Sequence, residues 1–304
     1  MSHRITPAMM RETALANIDS SLAALQRTSS ELSSGKKILE PSDEPFGASR
    51  VISLQSQLDG LGSYASSAQD GISWQSTATG AMANMSSIAQ RVRELLVRAS
   101  NSTNSQSDLA NIAKEVTQLT EAIKQDAAVQ YDGQYVFSGT ATNTRPYAQG
   151  EVDTYAGNEG TVARAIAPGS SIAINTNIAE VLGNGAASGD GKLLDTLRTI
   201  TEHLSSGTPE DRAKLGGSDL KNLTANIETL AGAQAAAGAS TAQLQSAVER
   251  IEALQSSVTT ALSNTDSVNV AEATIAYSNE QAAYNAALRA GAKIIQESLL
   301  NFLA

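Results

Sequence analysis

From Ile18 the apolar residues of this 304-residue chain return at Leu22, Leu25 and Leu32, with Ser29 in the intervening place, a 4-3-4-3 spacing. Leu288, Ala292, Ile295, Leu299 and Phe302 repeat that spacing near the other end. Such a rhythm lays a narrow apolar seam along an α-helix and calls for a partner helix. At ~1.5 Å per residue, segments 4–33 and 270–303 each make a helix roughly 45–50 Å long. A pair of helices has no third element to cover it, so apolar surface stays open. The expected cover is the same pair on a neighbouring molecule. Ile18, Leu22, Leu25, Leu32, Leu288, Ile295, Leu299 and Phe302 are therefore the candidate assembly interface.

Between the seams the rhythm is broken in a definite way. Gly35, after Ser33 and Ser34, is a stop in the left-handed conformation. The stretch LSSGKKILEPSDEPFGA (32–48) follows, with Ser42 or Asp43 as the expected N-cap of the next helix and Pro45 in its first turn. Gly35, Pro41, Ser42, Asp43 and Pro45 define a candidate connector loop. Heptad spacing then runs from Val51 to Ile72 and from Ala81 to Ala99. That predicts one very long helix, or two in line, with Gly60, Gly62, Gly71 and Gly80 as weak points. NSTNSQSD (101–108) is a polar turn ending in a capping residue, and Leu109 to Ile123 make an antiparallel return.

At Tyr131 the texture changes to Gly and β-branched residues, with Pro168-Gly169 as a hairpin turn and Ile172 and Ile174 at strand period. Helical spacing resumes at Leu193, and a long Ala/Gln-rich helix spans about 219–262 before SNTDSVN (263–269) interrupts it. The expected class is mainly α: a long antiparallel helical rod with coiled-coil terminal helices and a small β insert. The expected parts are 1–40 with 268–304, 41–130 with 193–267, and a β-rich insert at 131–192.

Composition removes several functions. Aromatic residues are 4% of the chain, which suits slender Ala/Leu-packed helices better than a thick enzyme core. The net charge is −10 and no Lys/Arg run exceeds two, so no footprint for nucleic acid or anionic lipid is present. Without cysteine there is neither disulfide nor thiolate–metal chemistry. No apolar stretch approaches the ~18 residues of a membrane helix, so no membrane insertion is expected. The start lacks the apolar centre of a cleaved secretory signal.

No catalytic, cofactor or metal site is expected. His3 and His203 stand apart, and His203 reads as a rim residue beside the stripe of Leu194, Leu197, Ile200 and Leu204. GNGAASGDGKL (183–193) has five residues where a phosphate loop needs four, and Leu193 replaces its Ser/Thr. Arg91, Arg93 and Arg98 read as a solvated face. Tyr131, Tyr135 and Phe137 read as packing of the insert, and Tyr277 with Tyr284 as seam packing.

The connector loop then meets a family. SSGKKILEPSDEP (33–45) resembles the signature after the first helix of flagellins and flagellar hook-associated proteins. QDGISWQSTATGAMANM (69–85), QRVRELLVRASNSTNSQSD (90–108) and AYNAALRAGAKIIQESLLNFL (283–303) are similar to the same superfamily, so the likeness covers about 1–145 and 215–304. Pro41-Ser42-Asp43-Glu44-Pro45 has the Pro-Ser-Asp-x-Pro form of its hook–filament junction members, and GQYVFSGTATNTRPY (133–147) is similar to them too. Phe46-Gly47 departs from that pattern, where small aliphatics are expected.

The resemblance implies a structural protein without enzymatic activity. It would act outside the cell, in the bacterial flagellum, exported by the flagellar type III apparatus without a cleaved signal. Implied partners are further copies in a ring, the hook-side junction protein, flagellin and a cytoplasmic export chaperone; no cofactor is implied. The terminal helices would form an inner tube, the long helices an outer rod, and the insert would face solvent. The rigid loop would fix the angle between terminal helix and rod. The alternative within the superfamily is flagellin, the filament subunit itself.

Overall fold

The computed structural model describes residues 7–101, 104–150 and 153–303. Helix α1 (Pro7–Ser34) opens on a proline, whose missing N–H costs a first turn nothing. Gly35, at φ +71°, ends it and donates its N–H to the Glu31 carbonyl at 2.9 Å. Helix α2 (Pro45–Ala99) is one continuous helix of 55 residues, so none of its glycines breaks it. Gly60 and Gly80 face open space, but a Cβ at Gly71 would lie 3.1 Å from Ile174 and 3.2 Å from Leu244. That glycine allows close approach, a packing role that outweighs its cost in the helix.

Helix α3 (Gln106–Ala127) starts with a capping box one turn earlier than the sequence suggests. Ser105 is the N-cap and accepts the Asp108 N–H at 3.2 Å, while Asp108 accepts the Ser105 N–H at 3.0 Å. Bonds from the Ser105 hydroxyl and N–H hold the Asp108 carboxyl below its ordinary range.

After α3 come two antiparallel hairpins. Strands β1 (Gln130–Tyr131) and β2 (Gln134–Tyr135) are joined by Asp132 and Gly133, both at positive φ. Such a turn matches the twist of paired strands. Strands β3 (Ala163–Ala167) and β4 (Ser170–Ala173) turn at Pro168 and Gly169, as the sequence indicates. The rest of the insert is irregular, with one short helix, α4 (Ala179–Leu182). Helices α5 (Leu193–Ser206) and α6 (Pro209–Lys214) lead through a π-helical turn, Leu215–Asp219, into α7 (Leu220–Asp266); α8 (Val270–Leu303) closes the chain.

The chain divides into two compact units, Met1–Gly60 with Leu254–Ala304, and Leu61–Ala253. The second holds a large apolar core. Met82, Met85, Val92 and Leu95 of α2, Leu109 and Val116 of α3, Leu197 and Ile200 of α5, and Leu223, Leu230 and Leu244 of α7 are all buried. Complete burial of each contributes ~1.5–3 kcal/mol against exposure. Trp74 is buried edge-on to Tyr131, with ring centroids 6.1 Å apart, and Arg164 lies over its ring. Asp70 accepts the Tyr131 hydroxyl at 3.1 Å and pairs with Arg164 at 2.6 Å, fastening both hairpins to α2.

A second fastening is buried. Lys124 of α3 has a side chain only 2% exposed and Asp153 one 1% exposed, with 2.6 Å between Nζ and Oδ2. Lys124 also donates to Glu121 at 2.8 Å and to the Gly150 carbonyl at 2.7 Å. Asp153 Oδ1 accepts the Ala186 N–H at 2.8 Å. Oδ2 has no hydrogen bond of good angle, so its partner is the ammonium charge itself.

In the other unit α1 and α8 pack side by side and antiparallel: Gly291 lies against Ile18 at one end, and Lys36 bridges Ser267 at the other. The class expected from sequence is thus the class observed: mainly α, long helices, small β elements.

Candidate assembly interface and its connector loop

The connector between α1 and α2 is not a free turn. Lys36 forms an antiparallel bridge with Ser267, and the Gly35 carbonyl accepts the Val268 N–H at 3.0 Å. The Lys37 N–H reaches the Asp266 carbonyl at 2.6 Å, and the Ile38 N–H reaches its side-chain Oδ1 at 3.4 Å. Lys36 Nζ lies 3.8 Å from Asp266 Oδ2. The loop is thereby stapled to the break between α7 and α8. Asn269, through its side-chain oxygen, then caps α8 at Ala271.

The acidic residues of the loop hold the loop itself. Asp43 Oδ2 accepts the Glu40 N–H at 3.0 Å and the Leu39 N–H at 3.2 Å, and Oδ1 lies 3.4 Å from Arg27 of α1. The backbone bond from Glu40 leads in holding the Asp43 carboxyl below its ordinary range, and the Arg27 charge adds to it. This corrects the expected N-cap: Asp43 turns back into the loop, and Ser42 donates to Glu40. Helix α2 starts instead where the Ala48 N–H meets the Glu44 carbonyl at 2.8 Å. Pro45 is its first residue, as expected, and Pro41 lies exposed in the loop.

Gly47 is the residue that lets loop and helix meet. A Cβ there would fall 2.6 Å from Ile38 Cδ1. Sequence reasoning missed Asp266 and saw Gly47 only as a departure from the family pattern, without its packing on Ile38. Helix α7 runs on to Asp266, four residues past the end the spacing predicts, so an acidic residue in its last turn was not foreseen.

On the paired helices Ile18, Leu22, Leu25 and Leu32 are half-buried. Leu288 is 40% exposed, and Leu15, Val270 and Ile275 are exposed beyond 55%. The side chains of Ile295, Leu299 and Phe302 lie outside the described residues. The pair buries one side of its seam and leaves much apolar surface in contact with water.

Other candidates resolve as structure. His203 Nδ1 lies 2.6 Å from Asp219 and its Nε2 3.8 Å from Asp211, which makes it a tethered rim residue. In loop 183–193 three amides are already bound by carboxylates: Asn184 and Lys192 donate to Asp190 of the loop, and Gly191 to Asp195 of α5. Among the described residues no cluster of His, Cys, Asp or Glu could hold a metal ion, and no helix is long and apolar enough to cross a membrane.

Residues 5–142 match the family model of the bacterial flagellin N-terminal helical region. A flagellin from Salmonella rubislaw is 37% identical over 129 residues, 42% of this chain and 26% of that protein. One from Clostridium tyrobutyricum is 35% identical over 133 residues, 43% of this chain and 35% of that protein. The chain thus spans about a quarter to a third of the length of these relatives.

Among solved structures, a flagellar hook-associated protein from Vibrio parahaemolyticus superposes with a TM-score of 0.67 at 17% identity, over 74% of this chain and 100% of the other. Flagellar hook-associated protein-3 from Legionella pneumophila gives 0.62 at 12% identity, over 70% and 98%. FlgL from Bacillus cereus gives 0.57 at 18%, over 71% and 99%. At such identities the likeness is one of fold. Residues 5–142 are thus similar to the flagellin N-terminal helical region, and the fold of the chain is similar to that of solved flagellar hook-associated proteins.

Proposed function

We propose that the chain is a structural, non-catalytic adaptor of the bacterial flagellum, joining the hook to the flagellin filament. The observation that carries this reading is the shared fold over 98–100% of the hook-associated chains, which favours that branch over flagellin. The Pro41-Ser42-Asp43-Glu44-Pro45 loop supports it at the level of sequence.

In this reading residues 1–40 and 268–304 form the inner tube of a ring of subunits, 41–130 and 193–267 the outer rod, and 131–192 the solvent-facing insert. Ile18, Leu22, Leu25, Leu32, Leu288, Ile295, Leu299 and Phe302 make the contacts between copies. The ring meets the hook-side junction protein on one side and flagellin on the other. The chain acts outside the cell, after type III export without a cleaved signal, and a cytoplasmic chaperone covers its C-terminal seam beforehand. The bonds from Asp266 and Asp43 support a connector that keeps a fixed angle under load.

The second reading is flagellin, favoured by 37% identity over 129 residues and by the match of 5–142 to the flagellin N-terminal helical region. Deletion of the chain separates them. An adaptor leaves bare hooks with flagellin accumulating in the medium; a filament subunit leaves no exported flagellin at all.

A further inference from the structure

Phe46 is 93% exposed, more than any other large apolar side chain among the described residues. Its position is fixed. Pro45 starts α2 and Gly47 packs on Ile38, so the ring between them is turned outward on a stapled loop. At the other end of the α1–α8 pair, Met10, Ala14 and Asn17 face Ala287, Ala290 and Gly291 across a groove of about 480 Å³. Small residues make that hollow, and cavities of roughly 150 Å³ already hold a benzene ring.

We infer that Phe46 of one copy seats in the α1–α8 groove of a second copy of this chain. Phe46 cannot fill its own groove: Met10 and Ser34 are separated by about 36 Å of helix at 1.5 Å per residue, and the connector lies beyond Ser34.

Charge fits the same pairing. Glu40 precedes Phe46 as an acid with no ion pair among the described residues, while Asp43 is paired with Arg27 and Glu44 with Lys37. Arg289 and Lys293 flank the α8 side of the groove, two positive charges, both on exposed side chains. The groove also adjoins the open apolar surface at Leu15 and Leu288. A knob at one end and a hole at the other make a head-to-tail contact, which propagates into a ring or helix instead of closing as a dimer. The inference rests on the junction reading and adds the contact by which neighbouring subunits recognise one another.

The test places a photo-crosslinking phenylalanine at position 46 of the full chain. It is made in cells with a second, differently tagged copy, and crosslinks are mapped in isolated flagella. The expected result is attachment to 9–17 or 287–291 of the other copy. Ala290→Trp, at an exposed position, should fill the groove and abolish that attachment. Phe46→Ala should weaken association between copies at least tenfold while leaving the unfolding of the single chain unchanged. Crosslinks only elsewhere, in flagella that contain the chain, overturn this inference and leave the junction reading standing. Absence of the chain from flagella overturns both.

Discussion

Replacing Lys124 by Met removes one charge from a buried group and keeps the length of the stem. The Asp153 carboxylate, 1% exposed, would retain only the Ala186 N–H as a partner. The Gly150 carbonyl would lose its ammonium donor. Breaking one side of a buried ion pair costs ~3–5 kcal/mol, because the remaining charge stays desolvated. Met packing offsets little of this. Asp153→Asn is milder, about 1–3 kcal/mol, since the amide oxygen still accepts from Ala186 and Lys124 keeps Glu121, whose side chain is 29% exposed. If the pair behaved as a surface bridge, either change would cost under about 1 kcal/mol.

Amide exchange is the assay of choice, since it reports the insert locally. At 1.4 kcal/mol per tenfold, exchange at Ala186 and Gly150 should quicken by roughly two to three and a half orders of magnitude in Lys124→Met. Denaturant unfolding should show the same ordering of the two variants. Equal small losses, or a greater loss in Asp153→Asn, would refute the buried-pair reasoning.

Four further outcomes follow from the same geometry. Gly35→Ala forces an L-residue to φ +71°, costing ~1–2 kcal/mol, and should speed exchange at Val268, which is bonded to the Gly35 carbonyl; unchanged exchange would contradict it. Ser105→Ala should cost ~1 kcal/mol of α3 stability in thermal unfolding. Because the Asp108 folded pKa is depressed, its contribution is present above the unfolded value of ~3.9 and is lost as pH falls through the folded value. An NMR titration should show Asp108 moving up toward ~3.9 in the Ser105 variant. Asp266→Ala loses a long bond to Ile38 and a pair with a 62% exposed lysine, but relieves an anion at a helix C-terminus. The net change should stay within about 1 kcal/mol, with faster exchange at Ile38 and not at Lys37. On incorporation into flagella, amides of 9–33 and 270–293 should gain protection; equal protection in the free chain would count against assembly through these helices.

The heptad seams located α1, α8 and the buried face of α2 because a period of 3.5 has one structural meaning. Met85, Val92, Leu95 and Ala99 were placed by spacing alone and are buried. Gly71 could not be read so. Its reason is Ile174 and Leu244, more than a hundred residues away in sequence. Asp132-Gly133 was legible as a hairpin turn and was overshadowed by the aromatics around it. The Asp43 reading failed because a carboxylate before a helix can cap forward or close its own loop, and Arg27 drew it backward. Asp266 lay beyond any local rule, since its partner Ile38 is 228 residues away in sequence.

The central claim is a place, so the most direct measurement is where the chain sits on the flagellum. Immunogold labelling of isolated hook–filament particles should put the chain in a single short collar between hook and filament. Label distributed along the whole filament would make it a filament subunit, and label absent from the flagellum would contradict the account.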